Sequence, residues 1–485
     1  MRKLVPIGAC ALLTAGLFLT NLAQSTASPH AAAVSPAFTL ATGDTRSVSQ
    51  PTVPSVCSSL TSTLATPSSR EFSSSQEATP PDTSRIQSAL NGCAGTGKAV
   101  ELKASGSDTA FLSGPLTVGG GETLLVDTGV TLFASLNASQ YQVSGKPTCG
   151  TVASSEGGCV PFITVNGTSA AVMGTQSSSG SQGKIDGRGD LTLYGGTETW
   201  WQLATDAKNN GGDQNNPRLI VASANSFVLY DIDLVNSPNF HVVFQNANGF
   251  TAWGVRIKTP ATARNTDGID PAGATNVTIE NSYIQDGDDG IAIKGGSAAS
   301  SNITIKNNHF YGTHGISIGS ETTSGVSNVL VENNTVAGKD SSGNTSSSNN
   351  GLRIKSYSSV GGAVKQISYE ANCLTGVKYL IDLDPNYSSG NGSHIPSFTN
   401  IVVDGLKSTS SASSAESVLD GYSSSYPLGL TLENVSLDAT TTTAEYASIG
   451  VYNSNITASG TGVSVSSISG SGSVPSCSFP SYPSL

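Results

Sequence analysis

Three six-residue stretches decide the fold: Asn276-Val-Thr-Ile-Glu-Asn281, Asn302-Ile-Thr-Ile-Lys-Asn307 and Asn328-Val-Leu-Val-Glu-Asn333. In each, apolar side chains take alternate positions, the period of a strand with one buried face. Their starts are spaced 26 residues apart, twice in succession. Weaker copies stand upstream at Phe227-Val-Leu-Tyr230 and Phe250-Thr-Ala-Trp253, and downstream at Ile367-Ser-Tyr369, Ile401-Val-Val403 and Leu430-Thr-Leu432. A strand-bearing repeat of this length, without helical period between copies, reads as a solenoid in which each coil pairs in parallel with the next. Asn281, Asn307 and Asn333 then fall at equivalent turns and suit a stacked amide ladder. An all-β sandwich would not repeat similar strands at a constant interval. The expected fold class is all-β, a parallel β-helix forming one domain over residues 56–485.

Composition agrees with short strands and many turns. Only 12% of the 485 residues are charged, and 54 are glycine. Arg2 and Lys3, the apolar run Leu4 to Leu22 and the small residues that follow read as an export signal, assigned to residues 1–27. The Ser/Thr/Ala/Pro-rich stretch 28–55 has no apolar period and reads as a flexible lead-in. Within 80–90, Asp82 or Thr83 is placed to cap a short N-terminal helix whose Ile86, Ala89 and Leu90 share one face, suited to covering an open end of the solenoid. Beyond the signal no segment is long and apolar enough to span a bilayer, so a secreted chain, not a membrane one, is expected. Six cysteines remain after the signal, an even count that suggests disulfides in an exported protein. Cys149/Cys159 would close one loop, with Cys57/Cys93 and Cys373/Cys477 as the economical remainder. None has the spacing of a zinc site. The formal charge is −11, and loss of Arg2 and Lys3 leaves 34 acidic residues facing 21 basic ones. Nucleic acid is excluded as a partner by that balance.

A second series runs in phase with the first: Gly268-Ile269, Gly290-Ile291, Gly315-Ile316 and Gly351-Leu352. Immediately before these glycines stand Asp267, Asp289, His314 and Asn350. Equivalent residues on neighbouring coils stack at roughly 4.8 Å. The phase therefore brings Asp267, Asp288, Asp289, His314, Arg353 and Lys355 to one face. Asp-Gly pairs are ordinary turn sequences, and an acidic cluster could also hold calcium, but neither accounts for the alignment. Glycosidic cleavage needs an acid for the leaving oxygen, and a base for water or a nucleophile. Crowded carboxylates cannot all ionise, so one can keep a proton as the acid. Arg353 and Lys355 could bind a sugar carboxylate.

These residues also carry a resemblance. Asn265-Thr266-Asp267, Asp288-Asp289, His314-Gly315 and Arg353-Ile354-Lys355 resemble, in order, the four motifs of the polygalacturonases, most of all the bacterial endo-acting ones. Asn236-Ser237-Pro238-Asn239-Phe240-His241 and Trp253 add to it, and the similarity runs from about Pro80 to Val435. The resemblance implies a right-handed parallel β-helix and inverting hydrolysis of polygalacturonate, the backbone of pectin. It implies Asp288 as general acid, Asp267 and Asp289 as the carboxylates that activate water, and His314 in support. It further implies Arg353 and Lys355 as the substrate-binding pair and Tyr387 as a subsite tyrosine, in a monomer with no cofactor and no metal. The family usually has glycine before the histidine; here Thr313 stands there, and its side chain would narrow the cleft or shift the imidazole. Stacking alone would hold the carboxylates closer than the ~6.5–9.5 Å usual for inverting enzymes. Competing readings are an exo-acting or rhamnogalacturonan-cutting relative, a calcium-dependent pectate lyase, and a β-helix that binds polysaccharide without cutting it.

Overall fold

The computed structural model describes residues 38–485, so the signal assigned to 1–27 lies outside the described residues. The chain winds as a stack of coils whose strands pair in parallel with their neighbours above and below. One 11-stranded sheet runs from Leu116–Val118 through Ile220–Ala222, Ile269–Ala272, Ile291–Ile293, Ile316–Ile318 and Asn350–Lys355 to Thr442–Glu445. The remaining walls carry the repeat seen in the sequence. Phe227 aligns with Phe250, and Phe250 with Val277. Val277 in turn aligns with Ile303, Ile303 with Val329, Val329 with Ile367, Ile367 with Ile401, and Ile401 with Leu430. The alternate apolar residues fill one continuous core between the walls.

The turn asparagines have a backbone reason. Asn281, Asn307 and Asn333 adopt φ of 54°, 55° and 53°, a left-handed conformation that asparagine tolerates better than most residues. Asn333 Nδ2 donates to Asn307 Oδ1 at 2.6 Å. A deeper amide ladder sits one residue further along, unread in the sequence: Asn308 Nδ2 donates to Asn334 Oδ1 and Asn334 Nδ2 to Asn372 Oδ1, each at 3.1 Å. All three are buried, and they satisfy backbone groups where the strands turn.

Three further features depart from or sharpen the sequence reading. First, residues 38–55, expected as flexible, form an extended strap across the coils. Thr39 N–H donates to Asn400, Ala41 N–H to Ser368 Oγ, Thr42 N–H to Asn328, Asp44 N–H to Thr304 Oγ1, and Gln50 Nε2 to the Tyr230 hydroxyl. A polar strand without apolar period is held here by hydrogen bonds to side chains that project from successive coils. Second, the helix Thr83–Cys93 buries Ile86, Leu90 and Cys93, but Asp82 does not cap it. Its carboxylate instead accepts from Leu112 N–H at 2.6 Å and from Arg85 Nε at 2.6 Å, and Thr83 Oγ1 accepts from Gly114 N–H. Third, a helix at Trp200–Asn210 interrupts the strands; Thr199 and Gln202 close its N-terminus as a reciprocal capping box, and Trp200, Leu203, Ala204 and Ala207 are buried. Disulfides join Cys57 to Cys93, Cys149 to Cys159 and Cys373 to Cys477. Among the described residues no helix is long and apolar enough to cross a membrane.

Candidate active site

The Gly-Ile series holds its phase in space. Ile269 aligns with Ile291, Ile291 with Ile316, and Ile316 with Leu352. Backbone bonds continue the alignment outward: Gly268 N–H donates to Asp289 O at 2.9 Å and Gly290 N–H to Gly315 O at 3.0 Å. The approach is too close for a side chain, since a Cβ on Gly268 would fall 2.3 Å from Gly290 O. Glycine at this edge thus lets the coils stack tightly enough to bring the residues before it together.

Asp288 is the most accessible of the three expected carboxylates, 15% exposed against 3% for Asp289. Its Oδ1 lies 2.9 Å from His314 Nδ1, and its Oδ2 accepts from Asn265 Nδ2 at 3.2 Å. One oxygen each of Asp288 and Asp289 and a ring nitrogen of His314 lie within 4.8 Å of one another. Asp289 is occupied on both oxygens: Ser317 Oγ donates to Oδ1 and Lys355 Nζ to Oδ2, each at 2.7 Å. Arg353 pairs with Asp382 at 3.1 Å, and both Arg353 and Lys355 lie about 5 Å from the centre of the Tyr387 ring. Tyr387 itself is 44% exposed. The two cations expected to bind a sugar carboxylate are thus already engaged with protein carboxylates and an aromatic face.

Protons are distributed unevenly in this cluster. Burial, then the charge of Asp288, pushes the Asp267 carboxyl well above the usual range. Burial likewise raises Asp286, whose Oδ1 accepts from Asp288 N–H and whose Oδ2 has no partner among the described residues. Burial also raises Asp270, to about 7, against the opposing charge of Lys294. For Asp288 burial acts upward too, but the charge and hydrogen bond of His314, together with Lys355, outweigh it and hold the carboxyl low. The resemblance makes Asp288 the acid. In the unliganded protein burial favours the protonated form at Asp267, Asp286 and Asp270, while Asp288 faces the His314 ring at 2.9 Å.

Asp270, Asp286, Lys294 and Ser317 were not read from the sequence. The signal was the phase already in use: outward-facing Asp270, Ser317 and Arg353 are each one residue past the aligned Ile269, Ile316 and Leu352. Thr313 does not narrow the cleft. It is 1% exposed, and its hydroxyl accepts from Gly315 N–H at 3.0 Å.

Residues 97–471 match the model of the glycosyl hydrolases family 28. The chain is 42% identical to the endo-polygalacturonase of Pectobacterium carotovorum subsp. carotovorum over 82% of its own length and 91% of that protein's. It is 39% identical to a polygalacturonase of Ralstonia solanacearum, covering 87% of this chain and 85% of that one. Among solved structures, the polygalacturonase from Erwinia carotovora ssp. carotovora superposes with a TM-score of 0.73 at 39% identity, covering 86% of this chain and all of that one. The chain belongs to glycosyl hydrolases family 28.

Proposed function

We propose that the protein hydrolyses α-1,4-galacturonosyl linkages of polygalacturonate, cutting within the polymer and inverting the anomeric centre, as a monomer outside the cell. The observation that carries this is the convergence of Asp288, Asp289 and His314 beside Arg353, Lys355 and Tyr387, with Asp267 near enough to feel the charges of Asp288 and Asp289. Asp288, beside the His314 ring, faces the cleft and in its protonated form protonates the leaving oxygen. Asp289, bonded to Lys355 and Ser317, takes a proton from the attacking water. Asp267 completes the water site from the neighbouring coil. Arg353 and Lys355 bind the carboxylate of an acidic sugar that lies over Tyr387.

A lyase would need a lysine or arginine as base, and of the two cations beside the aspartates Arg353 is paired with Asp382. Lys355 is unsuited, because burial, which favours the neutral amine, is outweighed by Asp289, Asp288 and Tyr387 together, and the ammonium stays charged. The endo-acting reading draws on the name of the Pectobacterium carotovorum relative and on the groove that opens on Asp288 and His314. The test is a time course on polygalacturonate. Early release of a broad ladder of oligomers, with the first product in the inverted anomeric form by NMR, supports the reading. Monomer or dimer alone from the outset, or a retained anomer, contradicts it.

A further inference from the structure

Three grooves that share lining residues lead from the site on the side away from Arg353. One of about 380 Å³ opens on Asp288 and His314 and is lined by Lys208 and Arg264. A second, of about 220 Å³, shares those two cations and reaches Phe240. A third, of about 430 Å³, shares Gln214 and Asn239 with the second and is lined by Arg218. The rim also carries two exposed acids, Glu156 and Asp213. In a chain of net charge −11, this arm gathers cations.

The Phe240 ring organises them. Arg218 Cζ and Lys294 Nζ each lie 5.1 Å from its centre. Lys294 is 3.6 Å from Asp270, a buried carboxylate with no hydrogen-bond partner on either oxygen among the described residues. Arg218, Lys208 and Arg264 have no carboxylate within ion-pair distance among the described residues, unlike Arg353 and Lys355. Two cations beside one ring repel each other, and only one of them has a protein anion. The arrangement is completed by a second anion arriving from the cleft.

We propose that Arg218 and Lys294, set about Phe240, form a carboxylate-binding subsite on the arm opposite Arg353 and Lys355, so that acidic sugars are recognised on both sides of the bond that is cut. This rests on the hydrolase reading. Arg218 supplies the charge-assisted fork for the sugar carboxylate, and Phe240 fixes its position. Lys294 is a positioning residue as well, because it also lies between Asp270 and Glu321, at 3.6 and 3.8 Å.

The test is calorimetric binding of hexagalacturonate to the full chain carrying Asp288→Asn, with and without Arg218→Gln. The second substitution should weaken binding at least about tenfold, Arg218→Lys should recover part of it, and a fully methyl-esterified hexamer should bind both proteins equally. Circular dichroism and Tm check that the variants fold, and Lys294→Gln gives an independent arm if Arg218→Gln does not. In the enzyme without Asp288→Asn, Arg218→Gln should raise KM more than it lowers kcat and shift which bond of the hexamer is cut. Unchanged affinity for hexagalacturonate, or an equal loss on the esterified hexamer, overturns the subsite. If the unsubstituted protein releases no reducing ends from polygalacturonate, the hydrolase reading itself fails, whatever the calorimetry gives.

Discussion

Asp270→Asn isolates one buried carboxyl by a near-isosteric change. In the native protein both Asp270 oxygens lack hydrogen bonds among the described residues, and the nearest cation is Lys294 at 3.6 Å. Burial raises its pKa from 3.8 to about 7. The folded state then binds more protons than the unfolded chain between those two values. The stability Asp270 contributes is therefore full below the unfolded pKa and is lost as pH rises through the folded one. A shift of about three units corresponds to a swing of about 4 kcal/mol. Asparagine does not titrate, so the variant should gain on the wild type by about that amount between about pH 4 and about pH 8.5. Urea unfolding of both proteins across that range measures the difference. Stability curves that stay parallel would refute a neutral, buried Asp270, and a variant that gains instead at acid pH would reverse the sign.

Lys355→Ala removes the ammonium that holds Asp289 and leaves a buried carboxylate short of a partner. It should lower stability by about 3–5 kcal/mol near neutral pH and reduce kcat/KM on polygalacturonate by at least about tenfold. Equal kinetics would make Lys355 a bystander. Thr313→Gly should destabilise by about 1–2 kcal/mol through the lost hydrogen bond to Gly315 N–H and the added backbone freedom, without raising turnover. A more active glycine variant would mean that Thr313 does restrict the cleft.

Much of the molecule was legible because one physical period controls it. The strands at Val277, Ile303 and Val329 align in space as their 26-residue spacing implies, and the copies at Phe227, Phe250, Ile367, Ile401 and Leu430 join the same column. The same phase brought Asp289, His314 and Lys355 together. What was missed lacks that kind of signal. The strap at residues 39–50 is held by polar side chains scattered over several coils, so it has no period of its own. The inner ladder of Asn308, Asn334 and Asn372 hides beside the more visible turn asparagines, and its last step spans 38 residues. The Trp200–Asn210 helix did carry a signal, the Thr199/Gln202 box, amid otherwise strand-like sequence. Asp270 and Asp286 went unread, because burial, which gives them their chemistry, is a property of the packed coils.

The central claim is hydrolysis of galacturonan by a carboxylate column that needs Asp288. The most direct measurement is reducing-end release from polygalacturonate by the wild type and by Asp288→Asn, in the presence of a chelator, with ultraviolet absorbance followed for unsaturated product. The wild type should release reducing ends without unsaturated product. Asp288→Asn should lose several orders of magnitude in rate while keeping its Tm and its affinity for the polymer. Unsaturated product that disappears under chelation and returns with calcium, or near-normal turnover by Asp288→Asn, would contradict the claim.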